Sequence, residues 1–170
     1  ESRGLGDVYK RQVYISGDEG NTWTSQQVEP YDGSTPVFTK IAAGNGLIII
    51  GNDFGQTWES VDGGTTWELA ADIGGERYLL QHLTFTGDKF IASVQDSPFD
   101  DSTSANKFFV SNANAAQSST SAITVWTESE TPPHTGPYTK VTSAQGTFIA
   151  ITGNGEVAYS YDAVSWKQLA

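Results

Sequence analysis

Cysteine and methionine are both absent from the 170 residues. No disulfide framework and no thiolate metal site is possible. Basic residues are scarce: nine Lys and Arg face twenty Asp and Glu, a formal net charge of -11. Such a surface repels phosphate backbones and anionic bilayers, which argues against nucleic acid as a partner. The longest apolar run is Leu47 to Ile50, far short of the ~20 residues a spanning helix needs. No segment sustains a 3.6-residue period, so little helix is expected. Lys is sparse while Ser, Thr, Asn and Gly are abundant. That balance suits an extracellular, cell-surface or virion setting.

The first twelve residues stand apart. They hold Arg3, Lys10 and Arg11, three of the nine basic side chains. Their string from Gly4 to Gln12 resembles translated sequencing-adapter read-through at the ends of metagenomic open reading frames. Residues 1–12 are therefore set aside as a non-native tail. The chain opens on Glu1 and is read as a fragment of a longer protein.

What is present is a repeat. Thr39-Lys40-Ile41 matches Thr139-Lys140-Val141 at an offset of 100 residues. The same offset aligns Gly46 with Gly146, Ile49 with Ile149, Gly55 with Gly155, Ser60 with Ser160 and Asp62 with Asp162. A one-residue deletion then sets Trp67 against Trp166. A third copy lies between, where Phe90-Ile91-Ala92 and Phe109-Val110-Ser111 match the last copy; His82 falls in the place of Lys40 and Lys140. It carries two insertions, Ser93 to Lys107 and Asn112 to Thr124. Half of a further copy runs from Val13 to Val28. The marker residues Trp23, Trp67, Trp126 and Trp166 are 44, 59 and 40 apart. A period of about 40–45 residues is the length of a four-stranded propeller blade.

Each copy reads as four short strands. The second predicts Thr39 to Ala43, a tight Asn45-Gly46 turn, Leu47 to Ile50, Thr57 to Val61 and Trp67 to Ala71. The fold class expected is all-β, a partial β-propeller of four-stranded antiparallel blades. A half blade spans 13–28, and blades span 39–73, 78–130 and 139–170.

The turn between the third and fourth strands carries the sharpest motif. Ser16-Gly17-Asp18-Glu19-Gly20-Asn21-Thr22-Trp23 and Ser60-Val61-Asp62-Gly63-Gly64-Thr65-Thr66-Trp67 both fit S-x-D-x-G-x-T-W. Ser160 to Trp166 is one residue shorter and lacks the Gly, and the third copy keeps only Ser111 and Trp126. Asp in such a turn accepts bonds from nearby backbone N–H groups, and Gly takes the positive φ. Trp at the start of the fourth strand is expected to pack across neighbouring strands, at about 3–5 kcal/mol per truncation. The carboxylates of Asp18, Asp62 and Asp162 therefore read as scaffold. The motif resembles the Asp box, or bacterial neuraminidase repeat, of sialidase-like β-propellers, over residues 13–170.

The resemblance implies that a ligand face lies opposite the Asp-box turns. It is built by loops between blades (Glu29 to Val37, Asp72 to Tyr78, Glu130 to Tyr138) and within them (Gly51 to Gln56, Ser93 to Lys107). Candidate ligand-binding residues there are Tyr31, Asp32, Asp53, Arg77, Tyr78, Asp96, Asp101 and Tyr138. Aromatics beside carboxylates suit a sugar, and the partner expected is a glycan or protein ligand. Asp96, Asp100 and Asp101 together offer oxygens that suit calcium, though without the spacing of a calcium loop. No other cofactor and no metal-ligand set is read, and His134 is a single loop histidine.

A sialidase of this family uses three arginines, a Tyr–Glu nucleophile pair and an acid Asp. Only Arg3, Arg11 and Arg77 are present, and two of them sit in the tail. The reading favoured is a non-catalytic binding or scaffold module of a surface, adhesion, phage-tail or assembly-factor protein, its remaining blades in the parent chain. The alternative is a fragment of a sialidase-like or other Asp-box glycoside hydrolase, the latter working through two carboxylates. No catalytic residue is assigned.

Overall fold

The computed structural model describes residues 12–29, 37–70, 72–73, 78–96, 106–112, 125–130 and 132–169. These contain no helix and fourteen strands. Sheet one pairs β1 (Gln12–Ile15) with β2 (Thr24–Gln27). Sheet two runs β3 (Phe38–Gly44), β4 (Leu47–Asn52), β5 (Thr57–Ser60) and β6 (Glu68–Leu69). Sheet three runs β7 (Tyr78–Phe85), β8 (Lys89–Asp96), β9 (Asn106–Asn112) and β10 (Trp126–Glu128). Sheet four runs β11 (Tyr138–Ala144), β12 (Thr147–Thr152), β13 (Val157–Ser160) and β14 (Lys167–Gln168). All pairs are antiparallel, and strand order follows chain order within each sheet.

Tight turns set this order. Asn45 and Gly46 both take positive φ, 50° and 77°, the left-handed pair that matches the twist of a two-residue hairpin. Gln145 and Gly146 repeat it at 51° and 77°. In every four-stranded sheet the first strand then bulges: after Phe38, after Leu80 and after Tyr138. The residues that resume pairing are Lys40, His82 and Lys140.

The sheets stack because their strands are apolar on both faces. Ile49 joins a core with Leu80, Leu83 and Phe90 of sheet three, while its neighbour Ile50 joins Val28 of sheet one. Phe109 points back to sheet two, and Phe108 points on to Tyr138, Val141 and Trp166 of sheet four. Each of these large side chains contributes about 1.5–3 kcal/mol by leaving water. Small residues let the layers close: a Cβ on Gly51 would sit 2.7 Å from Leu80 Cδ2. Polar ties add register between layers. Leu80 N–H donates to the Asp53 carbonyl at 2.9 Å, and Ser93 Oγ–H donates to the Tyr138 carbonyl at 2.6 Å.

Several sequence boundaries shift. Gln12, counted with the tail, opens β1 opposite Gln27. The insert read as Ser93 to Lys107 starts only after Asp96, because Ser93 to Asp96 continue β8 and Asn106 and Lys107 open β9. The fourth strands of the four-stranded sheets are two or three residues long, not the five expected.

The marker tryptophans are not equivalent either. Trp166 is buried and stacks on Phe108 at 4.2 Å, Trp67 is half-buried, and Trp23 is 60% exposed. The largest buried ring of sheet two is instead Trp58 in the third strand, edge-on to Phe38 at 5.0 Å. Trp166→Ala is expected to lose about 3–5 kcal/mol in urea unfolding. Trp23→Ala should lose about 1 kcal/mol or less. Equal losses would contradict this ordering.

Candidate functional site

The strands present two kinds of end. At one end the hairpins after β1, β5 and β13 bring Ser, Asp and Trp together. Ser60 Oγ–H donates to Asp62 Oδ1 at 2.9 Å, and Gly64 N–H donates to Ser60 Oγ at 2.8 Å. Thr66 donates twice to the same carboxylate, from N–H to Oδ1 at 2.9 Å and from Oγ1–H to Oδ2 at 2.6 Å. Trp67 Nε1–H donates to the Gly64 carbonyl at 2.9 Å. Ser16, Asp18, Gly20, Thr22 and Trp23 repeat every one of these bonds at 2.7–3.0 Å.

The shortened hairpin shows what the network requires. Ala163 takes the place of Gly64, donating its N–H to Ser160 Oγ at 2.9 Å and accepting from Trp166 Nε1–H at 3.1 Å. It holds a φ of 64°. Asp162 Oδ1 accepts from Ser160 Oγ–H and from the N–H groups of Val164 and Ser165. The lost residue is absorbed, and the carboxylate keeps three donors, a second backbone N–H replacing the threonine hydroxyl. The Ser111 hairpin of sheet three falls outside the described residues between 112 and 125.

These bonds fix the charge state. Thr22, through its hydroxyl and its N–H, holds Asp18 at about 2 against an ordinary 3.8. Thr66 does the same for Asp62, also at about 2. Asp162 is lowered by the N–H groups of Ser165 and Val164. All three carboxylates are ionised at neutral pH and bonded within their own turns.

The opposite strand ends carry the loops named as candidates. Tyr31, Asp32, Arg77 and Asp101 lie outside the described residues, as does Asp100. Asp53, Tyr78, Asp96 and Tyr138 are described. Asp53 sits in the β4–β5 turn and accepts from Thr39 Oγ1–H at 2.5 Å and Lys40 Nζ at 3.1 Å. The Thr39 bond, then Lys40, lowers its pKa. Tyr78 and Asp96 face each other across β7 and β8, and both are buried. The Tyr78 ring packs on Phe109 at 5.9 Å.

Tyr138 is 1% exposed, against the ligand-facing place expected from its loop. Its ring lies 4.7 Å from Phe108, and its hydroxyl oxygen accepts from His134 N–H at 3.3 Å. Burial pushes that hydroxyl up to about 12, so it stays protonated. The physical reason is its place as the first residue of β11, directly over sheet three. Phe38 holds the matching place in sheet two.

His134 was read only as a single loop histidine, and Asn106 and Lys107 were not singled out by sequence. His134 is buried; its Nε2–H donates to the Val157 carbonyl at 3.1 Å, and its Nδ1 lies 3.6 Å from Glu156 Oε1. Asn106 is buried and donates to the Thr135 carbonyl, while its Oδ1 has no partner among the described residues. Lys107 pairs with Glu128, and that bond raises its pKa. The only sequence signal was a polar pair opening the apolar run Phe108 to Val110. No group of three or more His, Asp or Glu suited to a metal occurs among the described residues. The geometry offers aromatic edges, fixed carboxylates and buried amide groups, which suit recognition by hydrogen bonding.

No family profile and no curated protein matches the chain. Among solved structures, the computationally designed Ika8 protein is similar, with a TM-score of 0.51 at 14% identity. The match covers 85% of this chain and 40% of that one. Human WBSCR16 is similar at a TM-score of 0.46 and 10% identity, over 80% of this chain and 35% of its own. This chain thus spans well under half the length of either. At such identity the designed protein is a likeness of fold alone.

The hairpin carboxylates set an acid limit. Their folded pKa lies below the unfolded value, so their stabilisation is complete above about pH 4 and is lost as pH falls toward about 2. Wild-type melting temperature should drop across that window. Asp62→Asn should melt lower at pH 7 and lose less between pH 4 and 2. An identical acid slope in the variant would assign the loss to other groups.

Proposed function

We propose that the chain is a run of Asp-box propeller blades that acts as a non-catalytic binding or scaffold module. The observation carrying this reading is the repeated hairpin network. Three hairpins place the same Ser–Asp–Trp bonds at equivalent strand ends, and their carboxylates are bonded within the turns. That leaves the opposite strand ends for ligand contact. Asp53 and the inter-sheet loops are the binding residues in this reading, with Tyr78, Asp96 and Tyr138 buried beneath them.

The ligand is a glycan or a protein surface. Fixed acceptors such as Asp53 bind hydroxyl and amide donors without an ordering cost, because Thr39 and Lys40 already hold the carboxylate. The parent is a surface, adhesion, phage-tail or assembly-factor protein in an extracellular, cell-surface or virion setting. A fragment of a sialidase-like or other glycoside hydrolase is the competing reading. It requires an acid and a nucleophile, and the described carboxylates that are held below their ordinary pKa are poor acids.

A glycan array probed with the labelled chain, run beside fluorogenic sialosides and glucans, separates the two. The expected result is retention on a subset of glycans with no fluorophore release. Asp53→Ala should weaken that retention several-fold, while Asp62→Asn leaves it unchanged at neutral pH and low temperature. Turnover of any substrate would overturn the non-catalytic reading.

A further inference from the structure

The repeat supplies an internal control for how its layers are filled. Phe90 and Phe148 hold the same place in β8 and β12, so their cross-strand partners, Phe85 and Ser143, are counterparts. Both partners face the preceding sheet. Phe85 packs on Phe90 at 4.9 Å and covers Gly44 of sheet two so closely that a Cβ on Gly44 would sit 2.1 Å from the ring. Ser143 makes only a hydrogen bond, its Oγ–H donating to the Thr86 carbonyl of sheet three at 3.1 Å. The ring that closes one layer contact is missing from the next.

A cleft of about 320 Å³ opens there, between the β7–β8 turn and sheet four. Thr86, Ser143 and Phe148 line it together with Asp88, Lys89 and Tyr161. Tyr161 is 70% exposed. Val61 holds the same motif position in sheet two and is also exposed, at 42%, with sheet three packed alongside. The position therefore points away from the layers. Lys89 Nζ reaches the Asp162 carbonyl only at 3.5 Å, and an ammonium has three donors to place. Asp88 is exposed, and its carboxylate has no hydrogen-bond partner among the described residues.

We propose that this cleft binds a neutral hexopyranose unit, at the opposite strand ends from Asp53. The exposed Tyr161 ring offers a face for the C–H side of the sugar. Asp88 accepts from ring hydroxyls and Lys89 donates to them, and bonds to charged groups are the stronger kind. An anion would meet Asp88, and a cation would meet Lys89. A wholly apolar ligand would leave both without partners. A sugar ring, apolar on its face and polar at its rim, satisfies all three side chains. The inference rests on Ser143 standing where sheet three has Phe85, and it does not depend on the reading of Asp53.

The test is a titration of the whole 170-residue chain, labelled with nitrogen-15, with methyl glucopyranoside, galactopyranoside and mannopyranoside. At least one is expected to give saturable shifts at the amides of Gly87, Asp88, Lys89 and Gly146. Tyr161→Ala should weaken that binding at least tenfold, and Tyr161→Phe should retain it. Val61→Ala should change nothing. Ser143→Phe, which restores the ring of sheet three, should abolish binding; if that variant unfolds, the exposed Tyr161→Ala carries the same test. Shifts confined to residues 51–56 would overturn this site and leave the Asp53 reading standing. No shift with any of these sugars, or binding indifferent to Tyr161→Ala, would overturn it outright. Binding gained only when residues 113–124 are deleted would overturn an open cleft. Saturable binding of inorganic phosphate that Lys89→Met abolishes would overturn the neutral ligand in favour of an anion.

Discussion

Two-faced burial is the constraint on which the rest of this structure depends. Ile49 and Ile50 are adjacent, so they point to opposite sides of β4, and both are fully buried. Phe108 and Phe109 do the same in β9. A sheet with one apolar face can end a fold by turning its polar face to water. A sheet with two must be covered twice, and each covering sheet brings a second apolar face of its own. The sequence therefore propagates as layers. Every copy passes the requirement for cover to the next.

That constraint explains why the connecting hairpins are so conservative in their bonding. Layers this close leave no room for a turn of variable shape. The Ser–Asp network fixes the turn with five bonds drawn from side chains and backbone, so the fourth strand begins in a set place. The deletion in sheet four is instructive. Ala163 takes over two of the bonds made by Gly64, and Asp162 substitutes backbone donors for the lost threonine hydroxyl. The carboxylate's place is kept while the residues around it change.

How much of this was legible in the residues depended on whether the signal was local. The repeat, the strand order and the Asn45-Gly46 turn are local patterns, and all follow from spacing and turn chemistry. Burial of a given copy is not local. Trp23, Trp67 and Trp166 share one motif position yet range from exposed to buried, because each meets a different neighbouring layer. Tyr138 looked like a loop aromatic beside Pro137; it is a core ring because β11 begins at that residue and lies over Phe108. The bulge after Leu80 likewise has no composition cue. It is nevertheless what puts His82 in line with Lys40 and Lys140.

That line of cations has a consequence for the charge balance of an otherwise acidic chain. Lys40 is neutralised by Asp53. The residue matching Asp53 in sheet four is Gly153, which offers Lys140 no carboxylate at that position. His82 lies on β7, between β3 and β11. Burial lowers its pKa first, and Lys140 and Lys40 lower it further; only the bond to the Val141 backbone works the other way. A histidine lowered in the folded state is neutral above its unfolded pKa of about 6.5 in both states and contributes nothing there. Below that pH the unfolded chain takes up the proton more readily, so stability falls. The hairpin carboxylates begin to fail only near pH 4. Acidification is therefore expected to cost stability through His82 below about pH 6.5 and through the hairpin carboxylates only near pH 4 and below.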